Sequence, residues 1–288
     1  MTMSATFNKY SGTKFQANAV EEVEDYLTVE AALQISINSI PYTVTMRTPG
    51  DDRYLVGGLL YTEGLLWEAE QMKNFHEEEN PDTGLIETVN VWLSFSGREK
   101  KQLANNRSLV SSTSCGLCGK TELSAIAVEG EVLKPGVPLD INQIPAMYAK
   151  MKQQQKTFQY SGGSHAAAAL DKEGQLLVIF EDIGRHNAVD KVVGGLLDQG
   201  YLGQAEYMLV SGRISYEIVS KTYRAGIPFL LAVSAPSTLA VELAEKLGMT
   251  VLGFCRGDRA TVYSNRQNVW QNQEFSNVDA PQSPIAYP

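Results

Sequence analysis

The segment PFLLAVSAPSTLAVELAEKLGMTVLGFCRGDRA, residues 228–260, decides the fold class of this 288-residue chain. It predicts a buried strand over 228–233, a helix over 237–247 and a second strand over 250–254. A strand, a helix and a strand in this order form the repeating unit of a parallel sheet. The second half of the chain is therefore expected to be an α/β domain.

The same alternation continues on both sides of this segment. The further predicted elements are strands at 164–170, 175–181, 207–210 and 260–263, and helices at 140–156, 186–197 and 215–223. The first two of these strands are predicted to form a hairpin around residues 171–174. We therefore expect a three-layer α/β/α domain, with a largely parallel sheet and helices on both faces.

The first half has a different pattern and predicts a smaller α+β domain. After a polar lead-in over residues 1–25, the elements are strands at 29–38, 42–47 and 87–95 and a helix from Asp51-Asp52 to about Gly64. A basic, then Ser- and Thr-rich stretch at 96–114 predicts a linker. The predicted domains are 1–110 and 111–288, with a loosely packed tail after residue 265.

Composition limits the kinds of partner. The chain has 24 Lys and Arg against 33 Asp and Glu, a net charge of −9, which argues against nucleic acid or an anionic membrane as partner. The longest apolar runs are five residues, too short to span a membrane, and three cysteines are too few for a disulfide scaffold. We expect a cytoplasmic protein with reduced thiols.

Arginine recurs where the predicted strands end. The arginines at these positions are Arg185, Arg213, Arg256 and Arg259. Ligands of such sheets bind beyond the carboxyl ends of the strands, and the helix beginning at Ser237-Thr238 adds an N-terminal anion site. The set predicts a phosphorylated ligand. Alternatively, each arginine is a solvated loop end or a salt-bridge partner of Glu181, Asp182 or Asp258.

Cys115 and Cys118 form a CxxC pair in a Gly-flanked loop, and four interpretations stay open. The pair is half of a zinc site, a thioredoxin-like redox couple, a chance spacing or a sulfur-carrying nucleophile with a second thiol. A helix beginning near Lys120 would lower the pKa of the thiol. The spacing alone does not choose among them.

Three further side chains are weaker candidates. His165 and His186 are each either structural groups or ligand contacts beside the arginines, whereas His76 lies in an acidic loop and is expected to be solvated. Cys255 is expected to be a buried thiol rather than a second nucleophile.

Five segments in fixed order carry a resemblance to a known family. They are CGLCG (115–119), GSHAAA (163–168), EDIGRHNAVDK (181–191), SGR (211–213) and GFCRGDRATVY (253–263). Together they resemble the formate dehydrogenase accessory sulfurtransferases, the FdhD/NarQ family, over about residues 29–263.

The resemblance implies a function, a cargo and partners. The family carries sulfur from a cysteine desulfurase to the molybdenum cofactor, in its bis-guanine-dinucleotide form, before insertion into formate dehydrogenase. It implies a homodimer whose larger domain is similar to cytidine deaminases, with no tightly held metal of its own.

The resemblance also implies site residues. Cys115 would hold the persulfide and Cys118 would support it. The cofactor would be bound by Phe254, Cys255, Arg256, Gly257, Asp258, Arg259 and Ala260. The positions at the strand ends, rather than the resemblance, add Arg213, Arg185 and His165 to this site, with His165 as a ligand contact or proton donor.

Three functions are distinguished by these residues. The first is a sulfurtransferase acting through Cys115, and the alternative is a non-catalytic chaperone that only binds the molybdenum cofactor. A zinc-dependent nucleotide deaminase is the third, but that chemistry needs H-x-E and P-C-x-x-C. Here Asn187-Ala188 follows His186, and no proline precedes Cys115.

Overall fold

The computed structural model of the chain describes residues 6–94 and 130–271. The strands of the first half are β1 (Phe7–Gln16), β2 (Ala19–Thr28), β3 (Ala31–Ile37), β4 (Ile40–Arg47), β5 (Met72–Glu79) and β6 (Ile86–Leu93). Those of the second half are β7 (Leu139–Asp140), β8 (His165–Asp171), β9 (Leu176–Asp182), β10 (Ala205–Val210), β11 (Phe229–Ala232), β12 (Thr250–Arg256), β13 (Arg259–Val262) and β14 (Val269–Trp270). The helices are α1 (Asp52–Thr62), α2 (Ile144–Gln154), α3 (Lys156–Ser161), α4 (Arg185–Asp198), α5 (Tyr216–Arg224) and α6 (Thr238–Leu247).

The N-terminal unit is a four-stranded sheet in the order β4-β3-β6-β5, packed on α1. Leu33, Ile35 and Ile37 of β3 are fully buried against Leu55 and Leu60 of α1. The predicted strand-strand-helix-strand order is confirmed by β3, β4, α1 and β6. The sequence did not predict β5, because this edge strand reads MKNFHEEE and only Met72 and Phe75 pack against the core, so it lacks a regular apolar alternation.

The predicted polar lead-in is wrong, because β1 and β2 form a long antiparallel hairpin. Most of its residues are exposed, which is why its sequence lacks a buried face. At its base, the ring of Phe7 stacks on Tyr160 with 4.6 Å between centroids, and Thr28 Oγ1 lies 2.6 Å from Ser161 Oγ. The hairpin is thus attached to α3 of the second half.

The main sheet has the order β13-β12-β11-β10-β8-β9. The three strands β10, β11 and β12 are parallel, whereas β8, β9 and β13 pair antiparallel to their neighbours. The prediction of a largely parallel sheet is therefore wrong, and the sheet is mixed. The predicted hairpin over 164–170 and 175–181 is confirmed by β8 and β9. The connection from β12 to β13 is likewise too short for a crossover, so this pair must also be antiparallel.

Helices cover both faces of this sheet, which gives the predicted three layers. Residues of α4, α5 and α6 share one core with one face, and Ile144, Met147 and Met151 of α2 pack on the other. The mixed α/β class is confirmed, while the closer similarity to cytidine deaminases stays a prediction. The predicted helix over 140–156 is divided at Gln155 into α2 and α3.

The N-terminal unit docks on the main sheet where α1 crosses α4. A Cβ added at Gly58 would lie 1.8 Å from the Asp190 carbonyl oxygen, and one at Gly194 would lie 1.9 Å from the Tyr54 carbonyl oxygen. The two glycines therefore let the backbones of α1 and α4 come into contact, and a side chain at either position would prevent this close approach.

Charged side chains are buried beside this crossing. We call the following residues the buried seam: Thr48, Thr62, Asp182, Asn187, Asp190, Lys191 and Lys221. Lys191 Nζ lies 2.9 Å from Asp182 Oδ2, and Lys221 Nζ lies 2.7 and 2.8 Å from the two Asp190 carboxylate oxygens. Burial raises the pKa of Asp190, and the ammonium group of Lys221 opposes the rise. Each of these four charges is paired, as buried charges must be.

Two predictions concern the ends of the described ranges. The tail is packed as far as Trp270, because β14 pairs parallel with β7, so the prediction of a loose tail after 265 is wrong over that stretch. The predicted linker at 96–114 and both CxxC cysteines lie outside the described residues. Within residues 6–94 and 130–271, no helix is long and apolar enough to cross a membrane.

Candidate functional site

The strand ends of the main sheet bring the four predicted arginines to one edge. Arg185 follows β9, Arg213 follows β10, Arg256 ends β12 and Arg259 begins β13. Because β8 runs antiparallel to β9 and β10, its first residue, His165, lies at the same edge. We call the four arginines the arginine edge. Two strand spacings, roughly 10 Å, separate β10 from β12.

The guanidinium groups of the arginine edge are not neutralised. None of the four forms an ion pair with any described residue, and Arg213, Arg256 and Arg259 are exposed. Arg256 Nε donates to the Val233 carbonyl oxygen at 3.0 Å, whereas Arg185 Nε is buried without a hydrogen-bond partner among the described residues. The edge therefore presents positive charge with donors left for an anion.

The structure does not contain the alternative salt bridges between these arginines and Glu181, Asp182 or Asp258. Glu181 instead caps α3: its carboxylate accepts from the backbone N–H groups of Thr157 and Phe158 at 2.7 and 2.8 Å. Asp182 is fully buried in the buried seam, and Asp258 is exposed without an ion pair to any described residue.

The side chains of His165 and Arg185 both lie close to Gly212, which is in the loop after β10. His165 Nδ1 would lie 3.3 Å from a Cβ added at Gly212, and the Arg185 Cβ and Cδ atoms would each lie 3.4 Å from it. His165 Nδ1 is 3.4 Å from Ser211 Oγ, which accepts from the Ala166 backbone N–H at 2.9 Å. Three of the predicted site residues, His165, Arg185 and Arg213, thus lie close together, and we call these three residues the corner.

Burial lowers the pKa of the half-buried His165 below its ordinary value of 6.5, and the Arg185 guanidinium lowers it further. His186 and Arg213 act in the same direction, and only Asp182 opposes them. The neutral form of the imidazole is therefore favoured over the protonated form at neutral pH. His186 itself is buried, with Nε2 2.8 Å from Glu217 Oε2 and 3.2 Å from Ser215 Oγ.

The turn between β12 and β13 is the other part of the predicted cofactor site. Phe254 has a φ of 53°, is 45% exposed and donates its backbone N–H to the Ser234 carbonyl oxygen at 3.2 Å. A φ in this range is strained for a bulky residue. Gly257 has a φ of 58°, and it forms the tight turn with Asp258. Arg256 and Arg259 are cross-strand partners, and Ala260 follows half-buried.

Cys255 is buried, as the sequence predicted, with its thiol against Tyr148. Burial raises the pKa of this thiol to about 12. A group with this pKa is almost wholly protonated near neutral pH, so Cys255 is not a nucleophile in the folded protein.

The other candidates differ in position. His76 is exposed, as predicted for a solvated side chain, but it lies on β5 of the N-terminal unit rather than in a loop. Ser237 follows β11 at the same end of the main sheet as the arginines, and it caps α6 by accepting from the Ala240 backbone N–H at 3.3 Å. In the part of the chain that the structure describes, no three His, Cys, Asp or Glu side chains are grouped to hold a metal ion. The structure does not describe Cys115 and Cys118.

Sequence reasoning missed the supporting residues of the corner. Ser211 and Gly212 were noted only as neighbours of Arg213, whereas they fix the positions of His165 and Arg185. Gly253 is similar, since a Cβ there would lie 2.9 Å from Pro236 Cδ. The available signal was a small residue directly beside each arginine, which indicates close packing as readily as close approach of a ligand.

Comparison with known proteins agrees with the resemblance of the motifs. The model of the FdhD/NarQ family matches residues 28–270. The chain is 39% identical over 262 residues to a sulfur carrier protein FdhD of Streptomyces avermitilis, covering 89% of this chain and 93% of the relative. It is 42% identical over 244 residues to one of Nocardia farcinica, covering 84% and 87%.

The fold has a solved counterpart. A crystal structure of a formate dehydrogenase accessory protein from Desulfotalea psychrophila superposes with a TM-score of 0.72, covering 92% of this chain and all of that one, at 20% sequence identity. At this identity the match supports the fold alone. The family model and the relatives extend over most of the chain, and from them we conclude that the chain belongs to the FdhD/NarQ family.

Proposed function

We propose that this protein is a sulfurtransferase that carries persulfide sulfur on Cys115 to a molybdenum cofactor bound at the arginine edge. The proposal rests on family membership for the sulfur-carrier role. It rests on one structural observation for the cargo: four guanidinium groups without ion-pair partners among the described residues share one edge of the main sheet.

The cargo fits the charge of this edge. The bis-guanine-dinucleotide form of the cofactor carries diphosphates, and arginine binds phosphate oxygens through paired N–H groups. The exposed ring of Phe254 lies in the same turn as Arg256 and offers an apolar surface to a guanine base. Asp258 lies on the other side of Gly257, where its carboxylate can accept from the guanine amino group rather than face a phosphate.

The chemistry has two steps. In the first, the Cys115 thiolate attacks the terminal sulfur of a cysteine desulfurase persulfide; a new S–S bond forms and the desulfurase thiolate leaves. In the second, the S–S bond of the Cys115 persulfide would break as the terminal sulfur forms a bond to the molybdenum of the reduced cofactor, which supplies two electrons, and the Cys115 thiolate would leave. Cys118 would assist release. The sulfurated cofactor is then inserted into formate dehydrogenase.

The wider context is proposed on the same basis. We place the protein in the cytoplasm as a homodimer, with a cysteine desulfurase and formate dehydrogenase as partners. The domain that contains the main sheet is proposed to be related to cytidine deaminases.

Mass spectrometry after incubation with a cysteine desulfurase and cysteine tests the carrier. We expect the gain of one sulfur atom on the peptide that contains Cys115, and loss of this gain and of client activation in Cys115→Ser. Cys255→Ser is the matched control and should still be loaded. Client activation by Cys115→Ser at the wild-type level would instead support the chaperone that only binds the cofactor.

A further inference from the structure

We infer that His165 is a proton-linked contact for the diphosphate of the ligand at the arginine edge: it takes up a proton when the diphosphate binds and loses it on release. This inference rests on the proposed function, since it concerns the same edge. It goes beyond the position of His165 beside the ligand, which the sequence already suggested, by giving this side chain a change of protonation on binding.

The first observation is the position of the imidazole. His165 begins β8, at the edge where β9 and β10 end. Its imidazole and the aliphatic part of the Arg185 side chain both lie against Gly212. A diphosphate held by Arg185 and Arg213 would therefore lie beside the ring. An imidazole that is protonated there donates to a phosphate oxygen, whereas a neutral one contributes little charge.

The second observation is a hydroxyl that serves both protonation states. Ser211 Oγ accepts from the Ala166 N–H, so its own proton is free to be donated to His165 Nδ1 when the ring is neutral. When the ring is protonated, Nδ1–H donates to the same oxygen and the hydroxyl proton turns towards the ligand. Both states are satisfied without movement of a heavy atom.

The third observation is the charge around the ring. The charged or titratable groups that act on His165 from the packed elements are Arg185 and His186 of α4, Arg213 of the loop after β10 and Asp182 at the end of β9. Asp182 is already paired with Lys191. Burial, and then these positive groups, disfavour the protonated form of the free imidazole. The negative charge of a bound dianion opposes both effects and favours protonation.

Calorimetric titration with GDP-mannose tests the inference, because its diphosphate is esterified at both ends and does not itself titrate near neutral pH. Titrations in two buffers with different heats of ionisation give the number of protons taken up. We expect uptake approaching one proton between about pH 6 and 8, with affinity rising as pH falls by at most about tenfold per unit.

Variants assign the proton. His165→Gln should lose the uptake and bind about tenfold more weakly near pH 6.5, but almost as tightly near pH 8.5, where the wild-type ring is neutral. His76→Gln, which changes an exposed imidazole on β5, should keep the wild-type uptake. Uptake that disappears in His186→Gln but persists in His165→Gln would overturn the inference.

Proton NMR of the three imidazoles in the wild-type protein gives a second measurement that needs no folded variant. We expect the His165 resonance to titrate below pH 6.5 in the free protein and above it with GDP-mannose. Binding without any shift of this resonance would refute the proton link but leave the proposed cargo site intact. Absence of GDP-mannose binding at every pH would refute both.

Discussion

The buried seam and the arginine edge use the same kinds of charged side chain in opposite ways. In the buried seam, Asp182 accepts from two backbone N–H groups and the Asn187 amide and also pairs with Lys191. At the arginine edge of the same sheet, the guanidinium groups have no ion-pair partner among the described residues. The partners of a charged side chain, and not its type, therefore indicate whether it supports the fold or is available to bind a ligand.

One sequence block contributes to both regions. Residues 181–191, EDIGRHNAVDK, supply Arg185 to the arginine edge and Asp182, Asn187, Asp190 and Lys191 to the buried seam. Motif recognition treats the block as one functional unit. The structure divides it into one residue that faces the edge and four that hold the N-terminal unit on the main sheet.

The largest expected effect comes from a carboxylate of the buried seam. Asp182→Ala leaves the Lys191 ammonium buried without its partner, and we expect the free energy of unfolding to fall by about 3–5 kcal/mol. Urea denaturation followed by circular dichroism measures it. Asp258→Ala removes an exposed carboxylate and should change stability by less than about 0.5 kcal/mol. Equal losses in the two variants would erase the distinction between the regions.

A substitution at the arginine edge is expected to weaken ligand binding and to leave stability almost unchanged. Arg213→Ala should weaken GDP-mannose binding by roughly 10- to 100-fold, the cost of charge-assisted hydrogen bonds to phosphate, with little change in unfolding free energy. Arg266→Ala is the matched control, because Arg266 is exposed near the opposite edge, beside the start of β12. Calorimetry measures the affinity of both variants for GDP-mannose. Similar weakening in Arg266→Ala would mean that binding depends only on the net charge of the protein.

A smaller effect tests the helix crossing that holds the buried seam together. Gly194→Ala places a methyl group 1.9 Å from the Tyr54 carbonyl oxygen, so α1 and α4 must separate. We expect a loss of about 1–3 kcal/mol in the free energy of unfolding. Gly203→Ala is the control, since nothing lies within 4 Å of its added Cβ. A thermal shift no larger than that of the control would contradict the close crossing.

The smallest effect is expected for the chemical reactivity of Cys255. This residue lies beside the turn that contains Arg256 and Arg259, but it is buried, as the residues of the buried seam are. With its pKa raised to about 12, only about one thiol in ten thousand is ionised near pH 8. In a variant with Cys115→Ser and Cys118→Ser, iodoacetamide should therefore modify almost no protein until denaturant is added. Rapid modification of the folded variant would show that this thiol is accessible and reactive.

The sequence predicted those elements whose residues are buried in a regular pattern. Strands such as β8, β9 and β10 and helices α4, α5 and α6 were placed within a few residues, because burial imposes period 2 or period 3.6 on the chain. The same reasoning missed β1, β2 and β5, which expose both faces or form an edge. It predicted the β8–β9 hairpin correctly, but it missed that β8 runs antiparallel to β10 and that β13 runs antiparallel to β12, because strand direction depends on connections rather than on periodicity.

By itself, the sequence determined the α/β class, the family and the list of arginines at strand ends, because these follow from local patterns and ordered motifs. Only the tertiary structure decided which charges are paired, that Gly212 brings His165 and Arg185 together and that Gly58 and Gly194 let two helices touch. Pairing and contact join residues that are far apart in the chain, and no local pattern encodes the distance between them.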